Sequence, residues 1–387
     1  MPQLEDLPSL RGRRVLVRAD FNVPLEGGRI ADDLRIRAAL PTIEWLEDRG
    51  AHVTACSHLG RPEGRPDDRY SMEPVRARLA EVAPGVELME NLRFDPGETT
   101  NDAAFVDRLT EGHDAYVNDA FGAAHRSHAS IVGPPARLPS AAGRLLAREV
   151  EVLVRLRTSP ARPFVAVLGG AKVSDKLGVI EALLEVVDSL LIGGGMCFTF
   201  LAAEGHTTGD SLLEADQVET CRSLLARAGT RVAVPDDVVA LGPGGEIGRP
   251  EAGGEVRRCD PDVPDGWKGL DIGATTTTAF AAAVADAATV FWNGPMGVFE
   301  DPRFADGTEA LAHAVAGARG FTVVGGGDSA AALASFGLAG EVDHLSTGGG
   351  ASLELLEQGD LPGLAALRRA PNAPDGPDRP DVGPEEG

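Results

Sequence analysis

The chain has 387 residues, with 36 basic and 59 acidic side chains and a formal net charge of −23 at neutral pH. A single hydrophobic core seldom grows beyond ~250–300 residues, so a chain of this length is expected to form two domains. The negative charge argues against nucleic acid and anionic membranes as partners, and no apolar run approaches the ~18 residues that a membrane-spanning helix requires.

Short apolar segments alternate with helix-length segments along the chain. The predicted strands are Arg14–Arg18, His52–Cys56, Glu87–Met89, Ala115–Val117, Phe164–Leu168, Ser189–Ile192, Arg231–Val234, Thr289–Trp292, Phe321–Val324 and Val342–Leu345. Most of these segments are apolar throughout, which is typical of parallel strands covered on both faces by helices. The pattern predicts an α/β fold of two domains, each with a mainly parallel, Rossmann-like sheet and helices on both faces.

The boundary between the two domains is expected within residues 141–163. Residues 143–157 have apolar side chains on one helical face, so a long hinge helix is predicted there. The domains would then cover residues 1–155 and 156–350. The acidic, proline-rich segment 370–387 buries too little apolar surface to offset its ordering entropy and is expected to be disordered.

Basic and polar side chains follow the strands of the first half. The turns there are Asp20–Pro24, Ser57–Pro62, Asn91–Arg93 and His125–His128. Open parallel sheets bind ligands beyond the carboxyl ends of their strands, where these turns should meet. We therefore expect one anion site, because guanidinium groups bind carboxylate and phosphate in pairs. Its basic members would be Arg18, Arg35, Arg61, Arg93, Arg126, His58, His125 and His128, with Asp20 and Asn22 beside a ligand hydroxyl.

Glycine turns follow the strands of the second half. They are Gly169–Lys172, Gly193–Gly195, Gly325–Asp328 and Gly348–Gly350. Helices are predicted after three of them, over Lys172–Val187, Ser329–Phe336 and Ala351–Gln358. A helix N-terminus behind glycine offers free N–H groups and a partial positive charge, which favours phosphate. None of these glycine turns matches the Walker-loop motif or the dinucleotide-binding fingerprint, so their sequences do not identify the ligand.

The lysines support a phosphate site in the second half. Lysine occurs only at positions 172, 176 and 268, so two of the three fall in one short segment. If Lys172 and Lys176 lie four residues apart at a helix start, they share a face and would repel each other without an anion between them. Asp328 has two open interpretations, a ligand of Mg²⁺ or the N-cap of a helix.

Several of these segments, taken together and in order, resemble the motifs of the phosphoglycerate kinase family. They are Arg18–Pro24, Ser57–Pro62, Glu90–Phe94, Asn118–Gly122, Leu168–Lys172 with Lys176, Trp292–Glu300 and Gly325–Asp328. The resemblance implies a monomeric kinase that transfers a phosphoryl group reversibly between ATP and 3-phosphoglycerate, giving ADP and 1,3-bisphosphoglycerate, with Mg²⁺ bound to the nucleotide. It also implies that segment 351–369 returns to the N-terminal domain. Two departures from the family pattern are Gly273–Thr275 and Ser329.

The resemblance also implies roles for individual residues. Those implied to bind 3-phosphoglycerate in the N-terminal domain are Asp20, Asn22, Arg35, His58, Arg61, Arg93 and Arg126. Those implied around the nucleotide are Gly170, Lys172, Lys176, Gly194, Gly195, Asn293, Glu300, Gly325, Gly326, Gly327, Asp328 and Ser329. Arg35 and Lys172 are the implied catalytic residues, and Asp328 is the implied metal ligand. The acceptor carboxylate is already ionised near neutral pH, so no general base is expected.

Two other functions require sequence features that differ from those of the kinase. A nicotinamide-dependent oxidoreductase should have a G-x-G-x-x-G turn and an acidic residue after the following strand, and neither is clear here. An inactive phospholigand-binding protein should have lost Arg35, Lys172 or Asp328, and all three are present. A cytoplasmic location is expected, because the N-terminus lacks a signal-peptide pattern and the four scattered cysteines are predicted to be free, mostly buried thiols.

Overall fold

The computed structural model describes residues 1–372, which form two compact units. The first unit comprises Met1–Glu151 and the chain from Asp360 onward, and the second comprises Val152–Gly359. The first unit contains β1 (Arg14–Arg18), β2 (Leu25–Glu26), β3 (Arg29–Ile30), α1 (Leu34–Glu47), β4 (His52–Cys56), α2 (Glu73–Val82), β5 (Glu87–Leu88), α3 (Pro96–Thr100), α4 (Ala103–Thr110), β6 (Ala115–Asn118), α5 (Ala129–Val132) and β7 (Ser140–Ala142). The division falls within α6 (Arg144–Thr158).

The second unit continues with β8 (Phe164–Leu168), α7 (Leu177–Leu184), β9 (Ser189–Ile192), α8 (Cys197–Glu204), α9 (Val218–Ala228), β10 (Val232–Ala233), β11 (Val238–Leu241), β12 (Val256–Cys259), β13 (Lys268–Ile272), α10 (Ala274–Ala285), β14 (Thr289–Asn293), α11 (Asp306–Ala316), β15 (Phe321–Gly325), α12 (Gly327–Ser335), β16 (His344–Leu345) and α13 (Gly350–Gln358). Helix α14 (Pro362–Arg368) belongs to the first unit again. No helix among the described residues is long and apolar enough to cross a membrane.

The main sheet of the first unit is parallel, with strand order β5-β4-β1-β6-β7. Arg18, the last residue of β1, lies beside Cys56 of β4 and Asn118 of β6. The segments that follow these strands therefore leave the sheet at one edge. Val15, Val17, Val53 and Ala55 point to one face of this sheet, where they belong to the apolar clusters that also contain Ile36, Ile43 and Leu46 of α1. Leu16 and Tyr116, on the opposite face, are 0 % exposed, so both faces are buried, as the solidly apolar strands predict.

The main sheet of the second unit is also parallel, in the order β10-β9-β8-β14-β15-β16. Asn293, at the end of β14, lies beside Leu168 of β8 and Gly325 of β15, so three glycine turns start at the same edge. A three-stranded antiparallel sheet, β12-β11-β13, adds an element that the sequence did not predict. The predicted fold class, two mainly parallel α/β sheets with helices, is confirmed.

Two local predictions are wrong. Helix α7 begins at Leu177, not at Lys172, so the two clustered lysines do not share a helical face. Helix α13 packs against α7 and remains with the second unit, so the return toward the first unit begins at Asp360 and not at residue 351. At the predicted tail, the amide oxygen of Asn372 accepts a hydrogen bond from Ser140 N at 2.7 Å; the rest of segment 370–387, from residue 373, lies outside the described residues.

A buried carboxyl group caps the N-terminus of α6. Asp119 is 0 % exposed, and its Oδ1 accepts a hydrogen bond from Leu146 N at 3.1 Å. The Thr42 hydroxyl also donates to this carboxyl group, while Oδ2 has no hydrogen-bond partner among the described residues. Burial raises the pKa of Asp119 to about 6, against the lowering effect of these hydrogen bonds. Ionised Asp119 therefore destabilises the folded state.

Replacing Asp119 by Asn is expected to stabilise the protein above pH 6 and to leave its stability unchanged near pH 4. The folded-state pKa lies above the unfolded value of 3.8, so the folded state binds more protons between these two values and loses stability as pH rises through them. The difference between the folded-state and unfolded-state pKa of Asp119 corresponds to about 3 kcal/mol of unfolding free energy. Thermal melting of wild type and Asp119→Asn from pH 4 to 8 measures it. Exposed Asp48→Asn is the control, and equal melting temperatures at pH 8 would contradict the expectation.

Candidate functional sites

Polar side chains tie together the loops at the carboxyl edge of the first sheet. The Ser57 hydroxyl accepts a hydrogen bond from Phe21 N, and Asn22 Oδ1 accepts one from Gly60 N, each at 2.8 Å. The loop after β1 is thus bonded twice to the loop after β4. Asn22, predicted as a ligand-binding residue, already uses its side-chain oxygen within the protein. Its Nδ2 group is the part of the side chain that this bond leaves to a ligand.

A cluster of guanidinium groups surrounds Arg93 at this edge. Arg93 Nη1 donates to Gly60 O at 2.8 Å, while its buried Nε has no hydrogen-bond partner among the described residues. Burial lowers the pKa of Arg93, and the positive charges of Arg18, Arg61 and Arg126 lower it further. Several like charges held this close together favour a bound anion, because an anion removes their mutual repulsion.

Two arginines of the cluster have exposed side chains. Arg61 follows β4 and Arg126 lies shortly before α5, and both are exposed. Neither has a carboxylate partner among the residues that the structure describes. Their charges act on Arg93, as described above, so they belong to the same electrostatic cluster. The structure thus brings Arg61, Arg93 and Arg126 together, as the sequence predicts.

Arg35 is held at this edge by an ion pair. It lies in the first turn of α1, and its Nη1 group bonds Asp20 Oδ2. Burial raises the pKa of Asp20, but the nearby positive charges, of which that of Arg35 has the largest effect, more than offset it, and the net pKa is below its ordinary value. Asp20 is therefore a carboxylate near neutral pH. One third of the Arg35 side chain (33 %) remains exposed, so a ligand can reach it.

The histidines of this region are neutral near pH 7. Burial lowers the pKa of His58 to about 3 and that of His128 to about 4, and it also lowers the pKa of His125. The neighbouring arginine charges act in the same direction for all three rings. The sequence placed these histidines with the arginines as an anion site. In the structure they can contribute hydrogen bonds to an anion but little positive charge.

Arg18 differs from its sequence prediction. It was expected to face the ligand, yet it is 0 % exposed and bonds Ser130 Oγ at 2.8 Å and His58 Nδ1 at 3.1 Å. Its role toward a ligand is therefore indirect. Sequence reasoning did not identify Ser130 or the buried Glu98 that accepts from it. Asn91 lies in one of the predicted motifs, but no role was predicted for it. Its side-chain amide donates to Leu59 O at 2.7 Å and holds the loop after β4.

The glycine turns of the second unit pack against the loop that follows β14. Gly170 N donates to Pro295 O and Gly194 N to Met296 O, both at 3.0 Å. Gly194 has a φ of +65°, and a Cβ atom there would lie 2.5 Å from Gly170 N. A side chain at position 194 would therefore separate the two turns. Gly195 lies beside this contact and is partly exposed at the same edge.

Lys176 lies at the centre of this glycine-lined edge. Its Nζ donates to Asn293 O at 3.1 Å and to Asn293 Oδ1. Burial lowers the pKa of Lys176 to about 8, while the negative charges of Asp328 and Asp175 oppose this shift. Asn293 in turn donates to Gly325 O at 2.8 Å. The structure thus brings Lys176, Asn293, Gly325 and Asp328 together.

Lys172 is exposed in the loop before α7. The neighbouring amides are already satisfied, because Glu214 Oε2 accepts from Val173 N at 2.6 Å and from Ser174 N at 3.1 Å. Burial raises the pKa of Glu214, but bonds from Ser174 and Val173 and the charge of Lys172 lower it overall. Glu214 was missed from sequence, since nothing in its segment marks it as a partner of a loop some forty positions earlier. The exposed ammonium group of Lys172 remains available to a ligand.

The N-terminus of α12 presents Asp328. Gly326 is the N-cap of this helix, so the alternative that Asp328 is the cap is wrong. Asp328 is exposed in the first turn, beside exposed Gly327, whereas Ser329 is 0 % exposed and its hydroxyl accepts a hydrogen bond from Gly294 N at 2.6 Å. Ser329 therefore positions the turn after β14, and its side chain lies below the surface of the site.

A carboxylate at this place fits Mg²⁺ held mainly by phosphate oxygens. Among the described residues no group of three or more potential ligand side chains could hold a metal alone. Mg²⁺ usually binds one or two carboxylates together with substrate phosphates, so a single exposed Asp328 suffices. Glu300, in the loop after β14, is exposed as well.

The departure from the family pattern at Gly273–Thr275 lies at the start of α10. There Asp237 accepts a hydrogen bond from Thr276 N at 2.8 Å and caps the helix.

An arginine cluster in one α/β unit and a glycine-lined edge with lysine and a carboxylate in the other are features typical of a phosphotransferase. The phosphoglycerate kinase family model matches residues 4–87 and 83–359 of the chain. The chain belongs to the phosphoglycerate kinase family. It is 53% identical over 405 residues to phosphoglycerate kinase from Parafrankia sp. (strain EAN1pec), covering 95% of this chain and 100% of that protein.

Other similar proteins carry the same name. Phosphoglycerate kinase from Salinispora arenicola (strain CNS-205) is 55% identical over 397 residues, covering 94% of this chain and 98% of that protein. The solved structure of phosphoglycerate kinase from Coxiella burnetii matches with a TM-score of 0.86 and 38% identity, covering 95% of this chain and 99% of that one. The enzyme from Pyrococcus horikoshii OT3 matches with a TM-score of 0.82 and 31% identity, covering 95% and 98%.

Proposed function

We propose that this chain catalyses reversible phosphoryl transfer between ATP and 3-phosphoglycerate, with ADP and 1,3-bisphosphoglycerate as the products. The observation that carries the proposal is the cluster of Arg61, Arg93 and Arg126, which share one electrostatic environment at a sheet edge in a member of this family. A ligand with a carboxylate at one end and a phosphate at the other suits such a cluster, because guanidinium groups bind both.

A coupled assay of the purified full chain tests this function. The protein is mixed with ATP, Mg²⁺ and 3-phosphoglycerate, and the 1,3-bisphosphoglycerate formed is consumed by an excess of a coupling dehydrogenase and NADH. We expect NADH oxidation that depends on all three additions. Absence of turnover in both reaction directions, with a folded protein, would contradict the proposal.

The acceptor site is proposed to lie at the carboxyl edge of the first sheet. The residues proposed to bind 3-phosphoglycerate are Asp20, Asn22, Arg35, His58, Arg61, Arg93 and Arg126. The arginines would neutralise the charge of the ligand, Asn22 and His58 would donate hydrogen bonds to its oxygens, and Asp20 would accept one from its hydroxyl group. The exposed part of Arg35 and the ion pair that orients it support a contact with the end of the ligand that reacts.

The nucleotide site is proposed to lie at the glycine-lined edge of the second sheet. The residues proposed to contact it are Gly170, Lys172, Lys176, Gly194, Gly195, Asn293, Glu300, Gly325, Gly326, Gly327, Asp328 and Ser329. Of these, Ser329 is proposed to act through Gly294, which it bonds. Asp328 would hold Mg²⁺ when the nucleotide is bound. The ion would supply charge neutralisation between the β- and γ-phosphates.

The mechanism that follows needs no general base. The attacking oxygen belongs to a carboxylate that is ionised near neutral pH. What the protein must supply is in-line placement and neutralisation of the negative charge on the transferred group. We propose that Arg35 does this for the oxygens near the acceptor and Lys172 for those near the nucleotide. Both side chains are at least partly exposed, so a substrate can reach them.

A monomeric state and a cytoplasmic location are parts of the same proposal. Cys56, Cys197, Cys221 and Cys259 are free and buried, which is compatible with a reducing compartment. Light scattering of the purified chain tests the monomer, and a mass of about twice the 40.3 kDa of the chain would contradict it.

A further inference from the structure

A series of buried hydrogen bonds connects His58 with Arg18, Ser130 and Glu98 in the first unit. Arg18 Nε donates to Ser130 Oγ at 2.8 Å, and the Ser130 hydroxyl donates to Glu98 Oε1 at 2.7 Å. Ser130 N also donates to Glu98 Oε2 at 2.9 Å. Arg18, Ser130 and Glu98 are all 0 % exposed. One serine hydroxyl thus links a buried cation to a buried carboxyl group, and the direction of each hydrogen bond is fixed.

The contact between Arg18 and His58, at the other end of this series of hydrogen bonds, determines which ring nitrogen of His58 carries the proton. Arg18 Nη2 lies 3.1 Å from His58 Nδ1. A guanidinium group has only donors, so Nδ1 must accept and cannot carry a hydrogen atom. The ring is neutral, because burial lowers the pKa of His58 to about 3. Its proton must therefore lie on Nε2, which makes Nε2–H the donor that the ring offers to a ligand.

Further bonds hold Arg18 and Ser130 in place. The Tyr116 hydroxyl donates to Ser130 O at 2.7 Å, and Arg18 Nη1 donates to Ala19 O. Without the Ser130 hydroxyl, the buried Arg18 Nε would lose its hydrogen-bond partner. Leaving a buried donor of a charged group without a partner is costly, so Arg18 would move to find another acceptor. The hydrogen bond that orients His58 would then be lost.

We propose that Ser130 and Glu98 are positioning residues, which hold Arg18 so that His58 presents Nε2–H as its single donor to an oxygen of the bound phosphoglycerate. The identity of that ligand rests on the proposed function, whereas the tautomer of His58 does not. Neither Ser130 nor Glu98 contacts the ligand; both act through Arg18 and His58. The same arrangement explains why a fully buried arginine lies at the edge of an anion site.

The test compares Ser130→Ala with Ser140→Ala. Ser140 is a matched control, because it is also 0 % exposed in the same unit and its hydroxyl donates to Leu138 O at 2.8 Å, away from Arg18 and His58. Nitrogen-15 NMR of His58, assigned through His58→Asn, reports which ring nitrogen carries the proton. We expect Nε2–H alone in wild type and in Ser140→Ala, and a mixture of tautomers in Ser130→Ala. The KM for 3-phosphoglycerate should rise about tenfold in Ser130→Ala while the KM for ATP is unchanged.

Several results would overturn the proposal. They are an Nδ1–H tautomer in wild type, an unchanged tautomer in Ser130→Ala, and equal changes of KM for 3-phosphoglycerate in the two serine variants. If Ser130→Ala does not fold, Glu98→Gln gives the same measurements, since it removes the charge while keeping the shape of the side chain. A wild-type protein with the Nε2–H tautomer but no turnover would instead refute the proposed function and leave the positioning of His58 standing.

Discussion

Replacing Arg35 by Ala is expected to lower kcat on the order of 10³-fold, while the KM for 3-phosphoglycerate changes less than about tenfold. The partner charge of Arg35 is largest on the transferring phosphoryl group, so its interaction is stronger in the transition state than in the bound substrate. Loss of such an interaction lowers kcat and kcat/KM together. Initial rates at varied 3-phosphoglycerate and saturating ATP measure both constants.

Two further arginine variants make this result interpretable. Arg93→Ala should mainly raise the KM for 3-phosphoglycerate, because Arg93 is proposed to bind the substrate and not the reacting group. Arg37→Ala should change neither constant, since Arg37 lies on the same helix but is 62 % exposed and pairs with Asp33. Wild-type turnover in Arg35→Ala would remove its catalytic role. A loss shared with Arg37→Ala would point to damage of α1 instead.

Much of the fold could be predicted because its information is local. Solidly apolar segments such as Phe164–Leu168 marked strands buried on both faces, and the structure has strands at or within each predicted segment. The antiparallel sheet of β11, β12 and β13 escaped prediction. One of its edge strands, Val256–Cys259, has two arginines and is exposed at three of its four positions. A strand that buries so little apolar surface leaves no apolar run to detect.

The candidate sites were predictable as sets of residues, whereas the partners that hold them were not. Arg61, Arg93 and Arg126 were found from their place after strands, which sheet geometry brings to one edge. Ser130 and Glu98 lie far along the chain from Arg18, and their link depends on how α3 and α5 pack. The same reason hid Glu214, whose carboxylate binds the loop that carries Lys172. Partners that pack together from distant segments leave no spacing in the sequence.

The helix start at Leu177 shows a second limit. The sequence predicts that this helix begins at Lys172, directly after the glycine turn. In the structure Lys176 is the N-cap of α7 and has a non-helical backbone conformation, with φ −129° and ψ 1°, while Glu214 binds the amides of Val173 and Ser174 in the loop before it. The argument that both lysines share a helical face therefore fails. What remains is that Lys176 is mostly buried against Asn293, while Lys172 is exposed.

This difference sharpens the expectation for the lysines. Lys172→Arg should lower kcat about 100-fold with an unchanged melting temperature. The exchange keeps the charge but replaces a compact ammonium group by a planar fork, and a displacement of about 1 Å at the reacting group costs on the order of 100-fold. Lys172 is exposed, so the larger side chain fits without disturbing the fold. Lys176→Arg should lower the melting temperature as well as kcat, because the Nζ of Lys176 lies against both oxygens of Asn293.

Lys268→Arg is the matched control, since Lys268 is exposed at the start of β13 and is the remaining lysine of the chain. It should keep wild-type kcat and stability. All three variants are assayed in both reaction directions, because a group that stabilises the transition state must affect both equally at a fixed equilibrium constant. If Lys172→Arg keeps more than about half of wild-type kcat, Lys172 does not contact the transferred phosphoryl group. Lys176, which is partly buried near Asp328, would then be the charge that neutralises it.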